Sequence, residues 1–435
     1  MICTIAPPLL SHCTDFSITN TARPTPHGTV DRHMRSTSHS LYRLEEHRSA
    51  TRHSKSTEQR FRHVIGRQKR AMQKEFSAVI IERVETWVLR VPFIRTSADF
   101  DGAHHELIGA TVHADGVSGL GYSFITDHAG GVAVKALLDE LLVPRLIGRD
   151  ATKAEQIWFE FEALTHRMGT GINRFAMASI DIALWDLRAK VNGRSLAAEI
   201  GQIHESVPAY GSGKAGNRLS LSELVELSEG YISEGFTAVK LRVGENLRND
   251  PDRVSAVRRA LGDDVGIMID ANERLSYSEA LSLGRRLEEF DPLWFEEPMP
   301  YMHREAHVRL AQHLAIPVVG GEHHCSAEGF VDYVTSGAFS VLQPNVCMVG
   351  GITEMVRIMK LAELHGVGFA PHLMTDLNVH LAATTNSTIY VEYFPWMEPY
   401  TENRLTIDEG RALVPEGPGH GIQFTSAAFE QYRVA

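Results

Sequence analysis

Seven polar side chains close seven short apolar runs in the second half of this chain: Lys240, Asp270, Glu296, Glu322, Asn345, His372 and Glu392. Asp270 and Glu296 stand 26 positions apart, and so do Glu296 and Glu322. That interval is one strand–helix unit, so the three carboxylates are expected at the same end of neighbouring strands. Three carboxylates pointing into one mouth repel, and each raises the others' pKa unless something positive neutralises them. A hard divalent cation with oxygen ligands does so, and two or three carboxylates with open water positions suit Mg²⁺. The stretch "LWFEEPMP", Leu293 to Pro300, thus delivers Glu296 to a metal.

The elements that must position these residues are legible as a rhythm. "VPAYGSG", "AVKLRVG", "GIMIDAN", "LWFEEP", "PVVGGEH", "FSVLQPN", "GVGFAPH" and "IYVEYF" read as strands, and patterns such as "SYSEALSLGRRLEEF" and "ITEMVRIMKLAELHG" lie between most of them. Short apolar runs alternating with amphipathic helices imply a parallel sheet. Eight of them in succession predict an α/β fold of the (β/α)8-barrel type rather than a doubly wound sheet. The polar residues then gather at the C-terminal face, where such barrels carry their active sites. Upstream, "VIIERVETWVLRVPF" reads as a strand and "HELIGATVHADGVSGLGYSF" as a hairpin turning at Asp115-Gly116. "INRFAMASIDIALWDLRAKVNG" reads as a helix ending at Gly193. Strands first and helices afterwards predict an α+β domain.

Composition excludes several classes. A formal net charge of -11 argues against a general nucleic-acid binder. No apolar run approaches the roughly 20 residues of a membrane span, so no membrane partner is expected. Cys3, Cys13, Cys325 and Cys347 show neither zinc spacing nor a disulfide framework, which fits a reducing, cytoplasmic setting. No G-x-G-x-x-G follows a strand and opens a helix, which counts against a Rossmann dehydrogenase. Residues 1–76 are dense in Arg, His, Ser and Thr without apolar period, and are expected to be a disordered extension. Patterned sequence starts after Met72, where the functional chain is expected to begin; a transit peptide is the lesser alternative.

The ordered set "AVKLRVG", "IMIDAN", "WFEEP", "GGEH", "QPN…GGIT" and "PHLMTDLNVHLAA…VEYF" resembles the enolase superfamily, specifically its mandelate racemase branch. The similarity covers about residues 78 to 430 and includes the helix "IDIALWDLRAK". It implies a modified (β/α)7β barrel over 206–392, an α+β capping domain over 77–205 and a C-terminal segment, 393–435, that returns to the capping domain. The shared step of that family is Mg²⁺-assisted removal of the proton α to a carboxylate. Carried over, Asp270, Glu296 and Glu322 match its metal ligands and Glu392 matches an acid that hydrogen-bonds the substrate carboxylate. Glu297 takes a supporting role beside a cation, and Asn272 resembles a substrate contact, with a plain turn residue an equal reading.

Two departures from the family pattern bear on the reaction. Lys240-Leu241-Arg242 stands where the family has Lys-x-Lys, and both cations point into the mouth because they are two residues apart. A guanidinium does not give up its proton, so Arg242 is read as an electrostatic group, while Lys240 stays a candidate base. Asn345 stands where the family backs its histidine with Asp, so His372 lacks that counter-charge. A racemase needs a base on each face; a dehydratase needs one base and one acid, and His372 could serve as both. The resemblance therefore implies dehydration of an acid sugar, an aldonate or aldarate, to a 2-keto-3-deoxy acid. A racemase or epimerase, a cycloisomerase, and an idle homologue that binds Mg²⁺ and a sugar acid are the alternatives. "RTSADFDGAHHE", Arg95 to Glu106, is read as a polar lid loop with Arg95 a candidate substrate contact; His104 and His105 are candidates to contact hydroxyls, with plain solvation the commoner reading for adjacent loop histidines. His323 is preferred over His324 as a further contact. Homo-oligomers are expected by analogy with the family.

Overall fold

The computed structural model describes residues 78–92, 104–126, 129–213 and 219–435. The chain divides into the units Met1–Glu75 and Phe76–Ala435, and all described residues belong to the second. The N-terminal extension, the start near Met72 and Arg95 lie outside the described residues.

The first strands are β1 (Ile81–Pro92), β2 (His104–Ala114) and β3 (Val117–Ile125), an antiparallel meander. Ala114 pairs with Val117 around Asp115 and Gly116, whose φ values of 47° and 78° are the two positive angles a two-residue hairpin turn requires. The helices that follow include α1 (Gly131–Leu137), α2 (Ala154–Thr165) and α3 (Ile172–Val191). Helix α3 lies directly on β3. A Cβ on Gly121 would stand 2.1 Å from the Ser179 carbonyl oxygen, so glycine is what lets the two backbones meet. The lid expectation is corrected at its C-terminal end and for His105, while 95–103 lie outside the described residues. Residues 104–106 belong to β2, and His105 is buried with its ring 4.6 Å from that of Trp396.

The second half is a ring of parallel strands: β4 (Ser206–Gly211), β5 (Ala238–Arg242), β6 (Gly266–Asp270), β7 (Phe295–Glu296), β8 (Val318–Gly320), β9 (Val341–Leu342) and β10 (Gly368–Phe369), each paired with the next. The last stave, β11 (Val391–Tyr393), pairs with β4. The seam closes just before it, where Phe369 N–H donates to Ser387 O at 2.8 Å and Ile389 N–H to Phe369 O at 3.0 Å. The connecting helices are α4 (Leu221–Ser233), α5 (Asp250–Leu261), α6 (Tyr277–Leu287), α7 (Arg304–His313), α8 (Ala327–Thr335), α9 (Ile352–His365) and α10 (Thr375–Ala382). Ser220 and Ser276 open α4 and α6 with complete capping boxes, and Gly366 at φ 66° closes α9. The fold is the expected (β/α)7β barrel with an α+β domain.

The α+β helices grip the barrel loop that follows Asn345. Trp158 Nε1 donates to Gly350 O at 2.8 Å and Trp185 Nε1 to Thr353 Oγ1 at 2.9 Å. Asp181 accepts from Thr353 N–H at 2.8 Å and from its hydroxyl at 2.6 Å, and burial pushes its carboxyl up to about 7. The chain end returns to β1, where Val88 exchanges hydrogen bonds with Val434 and Ala435, 2.9 Å each. Among the described residues no helix is long and apolar enough to cross a membrane.

Candidate active site

Strand register brings the sequence candidates to one end of the ring. Asp270 and Glu296 are direct partners across β6 and β7, and Arg242 partners Asp270 across β5 and β6. Glu322, Asn345 and His372 lie two or three residues past β8, β9 and β10, and Glu392 lies on β11. All are buried or nearly so, because barrel strands are covered on both faces.

Lys240 is the hub. Its Nζ is 2.6 Å from Glu296 Oε1, 2.9 Å from Glu392 Oε1 and 3.4 Å from Asp270 Oδ2. Burial works against its charge, yet these carboxylates raise its pKa well above the ordinary lysine value. A lysine so held keeps its proton while these carboxylates face it, which weighs toward an electrostatic role. Arg242 pairs with Asp270 and is likewise raised despite burial, as expected for an electrostatic group. Burial would push Asp270 up, but Arg242 and Lys240 outweigh it and keep it ionised. Glu392 is also held well below the carboxylate range, burial being overcome by Lys240, His372 and hydrogen bonds from Ser212 and Leu373 N–H. Glu296 and Glu322 go the other way. Burial and the neighbouring Asp270 push Glu296 well up and Glu322 to about 7.

His372 faces this cluster from the far side. Its Nε2 is 3.1 Å from Glu322 Oε2 and 3.9 Å from Glu392 Oε2, and its Nδ1 is 3.1 Å from Asn345 Nδ2. Asn345 Oδ1 is occupied by the Cys347 N–H at 2.9 Å, so the amide nitrogen is the group turned to the ring. Nδ1 is then an acceptor and the ring hydrogen sits on Nε2. Burial brings the imidazole down to about 4 even with two acids close by, so the ring is neutral at pH 7.

Asn272 reads as a turn residue: its φ is 47°, and its N–H donates to Asp270 Oδ1 at 2.8 Å. His323 turns its Nδ1 to Glu297 Oε1 at 3.3 Å and Glu273 Oε1 at 3.6 Å, while His324 is packed among Phe330 and Tyr333. Arg95 lies outside the described residues. Three groups escaped the sequence reading. Trp294 Nε1 (3.0 Å) and Gln343 Nε2 (2.8 Å) both donate to Glu296 Oε2, and Ser212 Oγ donates to Glu392 Oε1 at 2.6 Å. The two-residue period of strands was the available signal, since Trp294 and Gln343 each precede a candidate by two positions.

The donor set fits a hard divalent cation. Asp270, Glu296 and Glu322 offer only oxygen, they are buried, and two of them are pushed up by burial and by the neighbouring Asp270. As arranged, Asp270, Glu296 and Glu322 lean on Arg242, Lys240 and His372 respectively, and their ligand atoms do not all lie within 4.8 Å of one another.

Known proteins share this arrangement of chain and fold. Residues 81–201 match the family model "Mandelate racemase / muconate lactonizing enzyme, N-terminal domain", and residues 223–428 match "Enolase C-terminal domain-like". An L-talarate/galactarate dehydratase of Salmonella typhimurium is 32% identical over 315 residues, 72% of this chain and 78% of the relative. A 3,6-anhydro-alpha-L-galactonate cycloisomerase of Streptomyces coelicolor is also 32% identical, over 79% of this chain and 96% of the relative. The crystal structure of L-talarate dehydratase from Polaromonas sp. JS666, complexed with Mg and L-glucarate, superposes with a TM-score of 0.76 at 32% identity, covering 82% of this chain and 98% of that one.

Proposed function

Since this chain belongs to the mandelate racemase/muconate lactonizing enzyme family of the enolase superfamily, we propose that it is a Mg²⁺-dependent acid-sugar dehydratase. It would remove the proton α to a carboxylate, expel the β-hydroxyl and release a 2-keto-3-deoxy acid. The observation that carries this reading is an asymmetry of the site. On one side Lys240 and Arg242 are cations paired with Glu296, Glu392 and Asp270. On the other, His372 is the neutral ring able to move a proton. One proton-transfer group supports loss of water; a racemase needs one on each face of the α-carbon.

Asp270, Glu296 and Glu322 would hold the cation. When bound, it supplies the positive charge that makes the α-proton removable and stabilises the charge developing on the substrate carboxylate. Lys240 and Arg242 add fixed positive potential beside that carboxylate. His372 holds a proton at Nε2, the nitrogen facing Glu322 and Glu392, and takes one there once its ring hydrogen has moved to Nδ1. Trp294 and Gln343 both donate to Glu296 Oε2 and so hold this carboxylate in place.

A second reading, cycloisomerisation of a lactone or anhydro-sugar acid, is favoured by relatives of that activity at the same identity as the dehydratases. A panel of aldonates, aldarates and their lactones, assayed with Mg²⁺ for 2-keto-3-deoxy products, separates the two. A keto-deoxy acid from an open-chain acid sugar, lost in Glu322→Gln, is the expected result. Turnover of lactones alone would favour the cycloisomerase, and no turnover of any acid sugar would reject both.

A further inference from the structure

Beyond the ends of β6, β7 and β8, one to three residues after Asp270, Glu296 and Glu322, stand three further donors: Glu273, Glu297 and His323. Among the described residues these are the one trio of Asp, Glu, His or Cys whose ligand atoms all lie within 4.8 Å of one another. We propose that Glu273, Glu297 and His323 form a second metal site, separate from the all-oxygen set, for a borderline divalent ion such as Zn²⁺.

Two independent features point to a ligand. The first is Glu297, which is 2% exposed. Its side chain reaches toward His323, yet its Oε2 has no hydrogen-bond donor among the described residues. A buried carboxylate oxygen without a donor forfeits its solvation with nothing in return, and a cation seated among these three side chains would repay it. The second is donor type. Two carboxylates and one imidazole differ in kind from the three carboxylates next door, and imidazole shifts preference from Mg²⁺ toward Zn²⁺ and its neighbours. With three protein ligands, a tetrahedral ion would keep one position open.

The residues are also held for the task. Tyr301 N–H donates to Glu273 Oε1 at 2.5 Å, and the Tyr301 ring stacks on His323 at 5.8 Å between centroids. His323 is half-buried, so an ion can reach it from outside.

The test is equilibrium dialysis of the full chain against Zn²⁺ with Mg²⁺ in large excess, so that the all-oxygen set is saturated. Seven histidines precede residue 76, so the readout is a difference between variants that share them. Glu273→Gln and His323→Ala are each expected to bind one Zn²⁺ per chain fewer than wild type, whereas Glu322→Gln binds the same number as wild type. Circular dichroism checks folding, and the isosteric Glu273→Gln decides the matter if His323→Ala unfolds. Equal Zn²⁺ uptake by wild type and Glu273→Gln overturns the proposal. So does a loss that follows Glu322→Gln, because the ion would then occupy the Mg²⁺ ligands.

Discussion

Asn345 offers the sharpest test of how His372 handles a proton. To accept one at Nε2, the ring must first carry its hydrogen on Nδ1. That hydrogen would point at Asn345 Nδ2, 3.1 Å away, donor against donor. Rotating the amide presents Oδ1 to the ring but turns the NH₂ group onto the Cys347 N–H, which now donates to Oδ1 at 2.9 Å. One buried donor is left without an acceptor either way, at a cost of about 1–3 kcal/mol. Asn345→Asp removes the conflict, because a carboxylate accepts from Cys347 N–H with one oxygen and from Nδ1–H with the other. If proton abstraction passes through the bare Nε2, the variant should exchange the substrate α-proton roughly 5- to 150-fold faster, the rate equivalent of that energy. Proton NMR of substrate in deuterium oxide with Mg²⁺ measures the exchange directly, apart from loss of water. Exchange that stays at the wild-type rate or slows, in a variant with unchanged melting, would refute both the tautomer and the assignment of His372 as base.

Three further outcomes follow from the geometry. Gln343→Met removes the 2.8 Å donor to Glu296 Oε2 and should weaken Mg²⁺ binding about 10- to 100-fold by titration calorimetry; unchanged affinity would mean that Gln343 does not position the ligand. Gly121→Ala drives a Cβ to 2.1 Å from the Ser179 carbonyl oxygen and should cost about 1–3 kcal/mol in denaturant unfolding, while a neutral result would mean that α3 can lift off β3. His380 is held down to about 4 by burial, its Nδ1 accepting from Ala197 N–H and its Nε2 facing His420 O. The unfolded chain therefore takes up that proton first, and stability is lost as pH falls from about 6.5 toward 4. His380→Gln should flatten the decline in unfolding free energy across that window, and an unaltered slope would exclude the residue as its source.

The barrel was legible because its strands are buried on both faces and read as apolar runs, each stopping at a polar residue. All eight runs contain a strand, and the capping boxes and glycine stops lie where the helices begin and end. The site was legible only as far as single side chains extend. That Lys240 is a locked cation depends on three carboxylates from three other strands converging on one nitrogen, which no local spacing encodes. The same holds for Asn345, whose orientation is set by the Cys347 N–H, and for His105, whose burial depends on Trp396 nearly 300 positions away. Residues 104–106 misled because a polar run was read as loop, although the strand pairing of β1 and β2 extends to His104.

The charges at the mouth supply the last step. Asp270, Glu296, Glu322 and Glu392 face Lys240 and Arg242, and His372 is neutral, so full ionisation leaves an excess of two negative charges. The protein resists that excess by pushing Glu296 and Glu322 toward their neutral forms, chiefly through burial and then through the crowding of like charges. One divalent cation has the charge to balance the deficit, and it would free both acids from their protons. A lysine or an aspartate in place of Arg242 or Asn345 would act differently. The aspartate would add a third excess charge beside His372, and a lysine at 242 would offer a removable proton on the opposite face. The pair found here keeps the balance at two, and under the proposed dehydration it would leave proton transfer to His372.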